Sequence, residues 1–147
     1  MASDASIRKS VVISSDTLEL EQLSQQLLAE TAANDFSEED IFAIHLAIEE
    51  AFVNAVKHGN KNNKEKQVKV EYSVTTDKLD ISVTDEGEGF DPDSVPDPRC
   101  GENLYKSSGR GMLLMQSYMD LVEYNEKGNS VHMIKNKTVT KKDKAGV

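Results

Sequence analysis

Two polar side chains one helical turn apart are the first candidates for chemistry. Glu50 and Asn54 are separated by four residues in a segment whose apolar residues recur at helical spacing, so both lie on one face of a helix. A carboxylate can accept a proton from an attacking hydroxyl, and a carboxamide oxygen can bind a hard cation such as Mg²⁺. The pair therefore suits a site that handles phosphates, although by itself it is also typical of a solvated helix face.

A second candidate is the acidic, glycine-containing run 85–89, which follows a predicted strand. The apolar positions of that strand are Leu79, Ile81 and Val83. Asp85 has the same parity, so a carboxylate continues the buried face of the strand. A buried carboxylate needs hydrogen-bond donors, and the pliable backbone at Gly87 and Gly89 leaves room for a ligand. A purine amino group would supply such a donor, whereas the run alone is also typical of an ordinary turn.

A third candidate is a short glycine motif that precedes a predicted helix. Gly109 and Gly111 stand where the N-terminal amides of that helix can bind phosphate oxygens, and Lys106 and Arg110 add positive charge. Alone, this motif favours a simple turn at the start of a helix. The three candidates together are more specific than any one of them.

The elements that must position these residues follow from hydrophobic periodicity and turn residues. We predict strands at 7–13, 68–74, 78–85, 121–125 and 130–136, and helices at 17–33, 37–58 and 109–119. Gly59 ends the second helix, a capping box opens it at Ser37, and a hairpin turn lies at Thr76-Asp77. This order predicts an α+β, two-layer sandwich with a mixed, mostly antiparallel sheet and helices on one face. A single domain is expected over 1–147, with its core at 7–136 and a basic tail at 137–147.

Composition narrows the function classes. The formal net charge of −9 argues against a nucleic-acid partner, which would need a basic surface. No apolar run reaches the length of a membrane span and no secretory signal is visible, so no membrane partner is expected. Cys100 is the only cysteine, which suits a cytoplasmic location. The three histidines lack the spacing of a zinc site.

In order and spacing, the three candidates resemble the Bergerat ATP-binding fold of the GHKL superfamily. The segments 49–59 and 102–111 are most similar to the bacterial anti-sigma factor serine/threonine kinases of that superfamily. The resemblance extends over about residues 7–136.

This resemblance implies a role for each matching residue. Glu50 would be the catalytic base, Asn54 would bind Mg²⁺ at the phosphates of ATP, and Asp85 would accept from the adenine amino group. The residues implied in shaping the pocket or contacting phosphates are Gly87, Gly89, Lys106, Gly109, Arg110 and Gly111. Beside the adenine, Ser130 or its neighbour Asn129 would supply a polar group.

The resemblance also implies the function and the partners. Such a kinase binds a sigma factor and releases it on binding and phosphorylating an anti-anti-sigma protein of the STAS type on serine, which regulates transcription by partner switching; a homodimer is also implied. Ser107 departs from the pattern, because some members carry a phosphate-binding arginine there. It motivates an alternative, a nucleotide-sensing binding module with little or no phosphotransfer. An ATPase acting with another polypeptide is a third interpretation, disfavoured because no phospho-accepting helical hairpin is visible.

Overall fold

The elements follow the predicted order along the chain. A computed structural model describes residues 7–87 and 115–138. The elements are β1 (Ile7–Ser14), α1 (Thr17–Ala33), α2 (Glu38–Val53), a π-helical segment (Asn54–Gly59), β2 (Gln67–Val74), β3 (Lys78–Thr84), β4 (Leu121–Tyr124) and β5 (Ser130–Asn136). Residues 115–118 are helical and belong to the helix predicted at 109–119. Residues 109–114 of that prediction lie outside the described residues, and Met119 is no longer helical. None of the helices in the described ranges is long and apolar enough to cross a membrane.

The five strands form one sheet in the order β1-β2-β3-β5-β4. Within the described residues every strand pairing is antiparallel. The prediction of a mostly antiparallel sheet therefore agrees with the structure, but no parallel pair is seen among these residues. The α+β class is confirmed. Strand β3 lies at the centre, where Ile81 pairs with Tyr72 on one side and with Met133 on the other. The central position of β3 places the loop after Thr84, and with it Asp85, in the middle of one sheet edge.

The core lies between the sheet and the two helices. Fully buried side chains come from both layers: Leu27, Ile44 and Ile48 from the helices, and Val70, Val74, Leu79, Ile81 and Met133 from the strands. Helix α1 packs over β1, and α2 packs over β5. On the opposite face of the sheet, His132 and Asp80 form a partly exposed pair at 2.7 Å. The helix layer therefore covers one face, which is the face toward which Asp85 points.

Helix α2 begins at the predicted cap, but its capping box is only half formed. The Ser37 hydroxyl accepts a hydrogen bond from the Asp40 amide at 3.0 Å. The Asp40 carboxylate does not return this bond; it is buried and accepts from the Thr138 amide at 2.8 Å and the Thr138 hydroxyl at 2.7 Å. Asp40 therefore anchors the chain after β5 to the start of α2.

The end of the second helix differs from the prediction. An α-helix was expected to continue to residue 58, but α2 ends at Val53 and a wider π-helical turn runs from Asn54 to Gly59. The Asn60 amide donates to the Ala55 carbonyl at 2.8 Å, a bond across five residues. π-Helical turns are rare and occur frequently at functional sites. Here the turn begins at Asn54 and ends at Gly59, which lies against the Asp85 carboxyl group.

Candidate nucleotide-binding site

Asp85 continues the β3–β5 ladder beyond the last residue of the strand. Its amide donates to the Asn129 carbonyl at 2.9 Å, and the Asn129 side-chain amide donates to the Asp85 carbonyl at 3.0 Å. The carboxyl group accepts a hydrogen bond from the Gly87 amide at 2.8 Å. Asn129 therefore holds both the amide and the carbonyl group of Asp85. The carboxyl group of Asp85 lies toward the helix layer, as the alternation of side chains along β3 predicts.

Two glycines form a tight cradle around this carboxyl group. A Cβ atom added at Gly59 would overlap the carboxyl carbon and both carboxyl oxygens of Asp85. A Cβ atom added at Gly87 would overlap the Gly59 carbonyl group and lie 2.9 Å from an Asp85 oxygen. The end of the π-helical segment and the loop after β3 therefore approach more closely than any side chain permits. Gly59 has a second role beyond ending the helix.

Glu50 and Asn54 carry buried oxygen atoms that lack a partner. Among the residues that the structure describes, neither Glu50 Oε2 nor Asn54 Oδ1 accepts a hydrogen bond, although both atoms are buried. Buried polar atoms in native proteins are almost always hydrogen-bonded, and an exception calls for an explanation. A ligand that supplies a hydroxyl, a water or a cation would satisfy both atoms. The two oxygens are hard donors, so they fit Mg²⁺ and its bound waters.

The candidate groups lie in sequence along one helical segment. Gly59, which touches Asp85, ends the π-helical segment that Asn54 begins, and Glu50 lies in the preceding turn of α2. Asn54 lies five residues and Glu50 nine residues before Gly59 along this segment. This spacing suits an extended ligand with a base at Asp85 and phosphates near Asn54 and Glu50.

Burial raises the pKa of the Asp85 carboxyl group. The hydrogen bond from the Gly87 amide and the positive charges of Lys127 and Lys66 oppose this rise. The pKa is raised overall because the buried carboxylate loses hydrating water, which these partners only partly replace. A carboxylate in this state gains from a ligand that donates a hydrogen bond to it.

Burial also raises the pKa of Glu50. The hydroxyl of Tyr124, on β4, is affected in turn, since burial and the charge of Glu50 raise the pKa of Tyr124 to about 12. A carboxylate with a raised pKa is a stronger proton acceptor than an ordinary surface carboxylate, which is the property that a general base requires.

The raised pKa of Glu50 predicts a dependence of stability on pH. Between the ordinary pKa and the raised one, the folded protein holds this proton more tightly than the unfolded chain does. The contribution of Glu50 to stability is therefore present at low pH and is lost as pH rises through the folded pKa. We expect Glu50→Gln to raise the unfolding temperature of the nucleotide-free protein near neutral pH, by roughly 2–4 °C for each kcal/mol of relieved burial cost. Thermal unfolding followed from about pH 5 to pH 8 measures this.

The matched control for this prediction is Glu49→Gln. Glu49 precedes Glu50 on the same helix, but its side chain is 54% exposed and pairs with His45 at 2.9 Å. That substitution should not raise the unfolding temperature. If Glu50→Gln and wild type unfolded at the same temperature at every pH, the proposed burial cost would be wrong.

Most of the predicted phosphate-contacting residues fall on a part of the chain that the structure does not describe. The predicted phosphate contacts Lys106, Gly109, Arg110 and Gly111 lie outside the described residues. So do Gly89, which was predicted to shape the adenine pocket, and Ser107. Ser130 is described, and its hydroxyl is 2.7 Å from the Thr84 hydroxyl. Thr84 and Ser130 are partners in the β3–β5 register, on the sheet face opposite to Asp85. Of the two residues left open beside the adenine, Asn129 is the one that contacts Asp85.

Two residues that support this site were not predicted from sequence motifs. The sequence pattern indicates only a helix end at Gly59, and it indicates no role for Asn60, which is fully buried. Their signal in the sequence was weak, since Gly-Asn after a helix is typical of an ordinary turn.

Comparisons with known proteins identify the family to which the chain belongs. Residues 13–135 match the histidine kinase-like ATPase domain family, so the chain belongs to that family. It belongs, more closely, with the serine-protein kinases called RsbW, which confirms the GHKL anti-sigma kinase resemblance. The RsbW of Listeria innocua is 35% identical over 107 residues, which cover 68% of this chain and 68% of the relative. The RsbW of Bacillus subtilis is 32% identical over 107 residues, with 68% and 67% covered.

A solved structure supports the fold independently. The structure of the RsbU and RsbW domains of Rv1364c from Mycobacterium tuberculosis matches with a TM-score of 0.60 at 15% sequence identity. The match covers 89% of this chain and 32% of that longer chain. At this low identity the likeness bears on the fold alone.

Proposed function

We propose that this protein is an ATP-dependent serine protein kinase and anti-sigma factor that phosphorylates a STAS-type anti-anti-sigma partner. The relatives named serine-protein kinase RsbW support the class of activity. The observation that carries the proposal for the site is a pair of buried oxygens, on Glu50 and Asn54, that have no hydrogen-bond partner among the described residues. They lie on the same helical segment whose end contacts Asp85. Asp85 suits the base of a nucleotide, and Asn54 and Glu50 suit its phosphate end.

Asp85 recognises the adenine ring in this proposal. Its carboxyl group is held by the Gly87 amide and confined by Gly59, so it presents acceptor oxygens in one orientation. The exocyclic amine of adenine donates to such an acceptor, whereas the carbonyl group of guanine or hypoxanthine at the same ring position cannot. Asp85 thereby provides both affinity for ATP and selectivity against other purine nucleotides.

Asn54 holds the metal ion that accompanies the phosphates. Its Oδ1 atom is a neutral, hard oxygen and fits Mg²⁺, which prefers one or two protein ligands together with water and phosphate oxygens. When bound, Mg²⁺ neutralises charge that develops on the phosphates during transfer. Asn54 is the protein ligand that we assign to this metal ion.

Glu50 acts on the acceptor serine. Its Oε2 atom is shielded from solvent, and burial raises the pKa of the carboxyl group, which strengthens it as a base. The carboxylate accepts the proton of the serine hydroxyl as the serine oxygen bonds to the γ-phosphorus of ATP and ADP departs. Positioning of this hydroxyl in line with the departing ADP contributes to the rate as well.

The partners and location follow the same proposal. We propose a sigma factor and an anti-anti-sigma protein as alternating partners, a cytoplasmic location and a homodimer. The net charge of −9 agrees with protein partners in preference to nucleic acid.

A titration with Mg-ATP tests the nucleotide site. We expect Asp85→Asn to weaken ATP binding by roughly tenfold or more, because the amide group presents a donor where adenine also presents one. Asp77→Asn is the matched control, since Asp77 lies in the exposed turn between β2 and β3. Calorimetry that gave equal ATP affinity for wild type and Asp85→Asn would contradict the proposed site.

A further inference from the structure

Asn60 is a fully buried polar residue that follows the π-helical segment directly. Its side chain is 0% exposed. Burying a carboxamide is costly unless its donors and acceptor are all used, so its partners indicate what it does.

The side-chain amide of Asn60 joins three separate parts of the chain. Nδ2 donates to the Ser15 hydroxyl at 2.7 Å and to the Gln67 carbonyl at 3.0 Å. Oδ1 accepts from the backbone amide of Glu86 at 2.8 Å. The end of β1, the start of β2 and the loop after β3 therefore meet at one side chain, and both amide hydrogens and the carbonyl oxygen are used.

The contact with Glu86 is next to the nucleotide-recognition residue. The peptide group between Asp85 and Glu86 carries the amide that donates to Asn60, so this bond restrains the rotation of that peptide. Asn129 accepts from the Asp85 amide on the preceding side, and its side chain donates to the carbonyl group of the same 85–86 peptide. The residue before Asn60 is Gly59, which confines the Asp85 carboxyl group. Two adjacent residues at the helix end thus restrain the backbone and the side chain of the same aspartate.

We infer that Asn60 is the positioning residue for adenine recognition: through the Glu86 amide it sets the orientation in which Asp85 presents its carboxylate to the exocyclic amine of the base. This inference rests on the proposed function. If the Asp85 carboxylate could rotate freely, the site would still bind a nucleotide. It would no longer distinguish an amine from a carbonyl group on the purine ring.

The experiment compares ATP with inosine triphosphate, which has a carbonyl group in place of the exocyclic amine. We expect Asn60→Ser to weaken ATP binding about tenfold and to leave the affinity for inosine triphosphate almost unchanged, so the ratio between the two falls. A merely structural role would lower both affinities equally. An unchanged ratio in Asn60→Ser would overturn the inference.

The matched control is Ser15→Ala. This substitution removes a hydroxyl that accepts from Asn60 and donates to the Lys66 carbonyl at 3.0 Å, but it keeps the bond from the Glu86 amide to Asn60. Ser15→Ala should lower the unfolding temperature as Asn60→Ser does, while its ratio of ATP to inosine triphosphate affinity stays at the wild-type value. A fall in the ratio for both variants would show that general loosening, not the Glu86 contact, is responsible and would overturn the inference.

Amide hydrogen exchange in the wild-type protein gives a second test that survives a folding failure of Asn60→Ser. The Glu86 amide should exchange slowly, and it should slow further with ATP but not with inosine triphosphate. Exchange as fast as in an exposed loop would overturn the inference. A wild-type protein that bound both nucleotides equally would refute the proposed adenine site itself, whereas normal discrimination with an unchanged ratio in Asn60→Ser would refute only the role of Asn60.

Discussion

Replacing Glu50 by glutamine should strongly reduce the rate of phosphotransfer while leaving the affinity for ATP almost unchanged. The glutamine side chain would keep the size and most of the polarity of the glutamate, but it cannot accept a proton from the acceptor serine. Loss of a positioned general base costs about 10²- to 10⁴-fold in rate, and we expect an effect of this size on kcat. The affinity for Mg-ATP should stay within about threefold of wild type, because in the proposed function Asn54 is the protein ligand of the metal and Glu50 acts on the serine.

Transfer of labelled phosphate from ATP to a cognate anti-anti-sigma domain measures this effect. Glu49→Gln is again the matched control, because it alters the neighbouring carboxylate, which is 54% exposed. The pH dependence gives a further check: since burial raises the pKa of Glu50, transfer by wild type should fall with decreasing pH at a higher pH than an ordinary glutamate would produce. Equal transfer rates for Glu50→Gln and wild type would rule out Glu50 as the base.

Replacing Gly59 by alanine should disrupt nucleotide binding, although Gly59 needs no contact with the nucleotide. The added Cβ atom would overlap the carboxyl group of Asp85, which is hydrogen-bonded to the loop amide of Gly87. Relief requires either rotation of the carboxylate or separation of the helix end from the loop. Overpacking of this kind costs about 1–3 kcal/mol, so we expect ATP affinity to fall roughly 10- to 100-fold.

A double-mutant cycle separates this explanation from a general loss of folding. If Gly59→Ala acts by displacing the carboxylate, it should have little further effect on ATP binding once Asp85→Asn has already removed that acceptor. Calorimetric titrations of the two single variants and the double variant give the coupling. Strictly additive losses would mean that Gly59 affects binding by a route that does not involve Asp85.

Local features of the sequence were sufficient to predict most of the framework. The parity of Asp85 with the buried positions of β3 placed its carboxyl group on the helix-facing side of the sheet, because side chains alternate along a strand. The spacing of Glu50 and Asn54 placed both on one helical face for a similar reason. The Ser37 cap and the hairpin between β2 and β3 are also as predicted, since both depend on residues close together in the chain.

Predictions failed where a distant residue decided the outcome. Asp40 fits a capping box in sequence, yet its carboxylate binds Thr138, which lies 98 residues away. The pattern of the second helix predicts an α-helix to residue 58, yet a π-helical turn begins at Asn54. Local propensity favours the regular alternative in both cases. At Asp40, the contacts with Thr138 outweigh that propensity.

Periodicity and residue type are local properties, so they were enough to predict the α+β class, the family resemblance and the chemistry available at Glu50, Asn54 and Asp85. The contacts by which Gly59 confines the Asp85 carboxyl group and Asn60 holds the Glu86 amide arise from the tertiary structure. These contacts join the end of a helix to a loop 26 residues later, and their distances depend on how the helix layer packs on the sheet. The packing of the helix layer on the sheet therefore sets the relative positions of the candidate site residues.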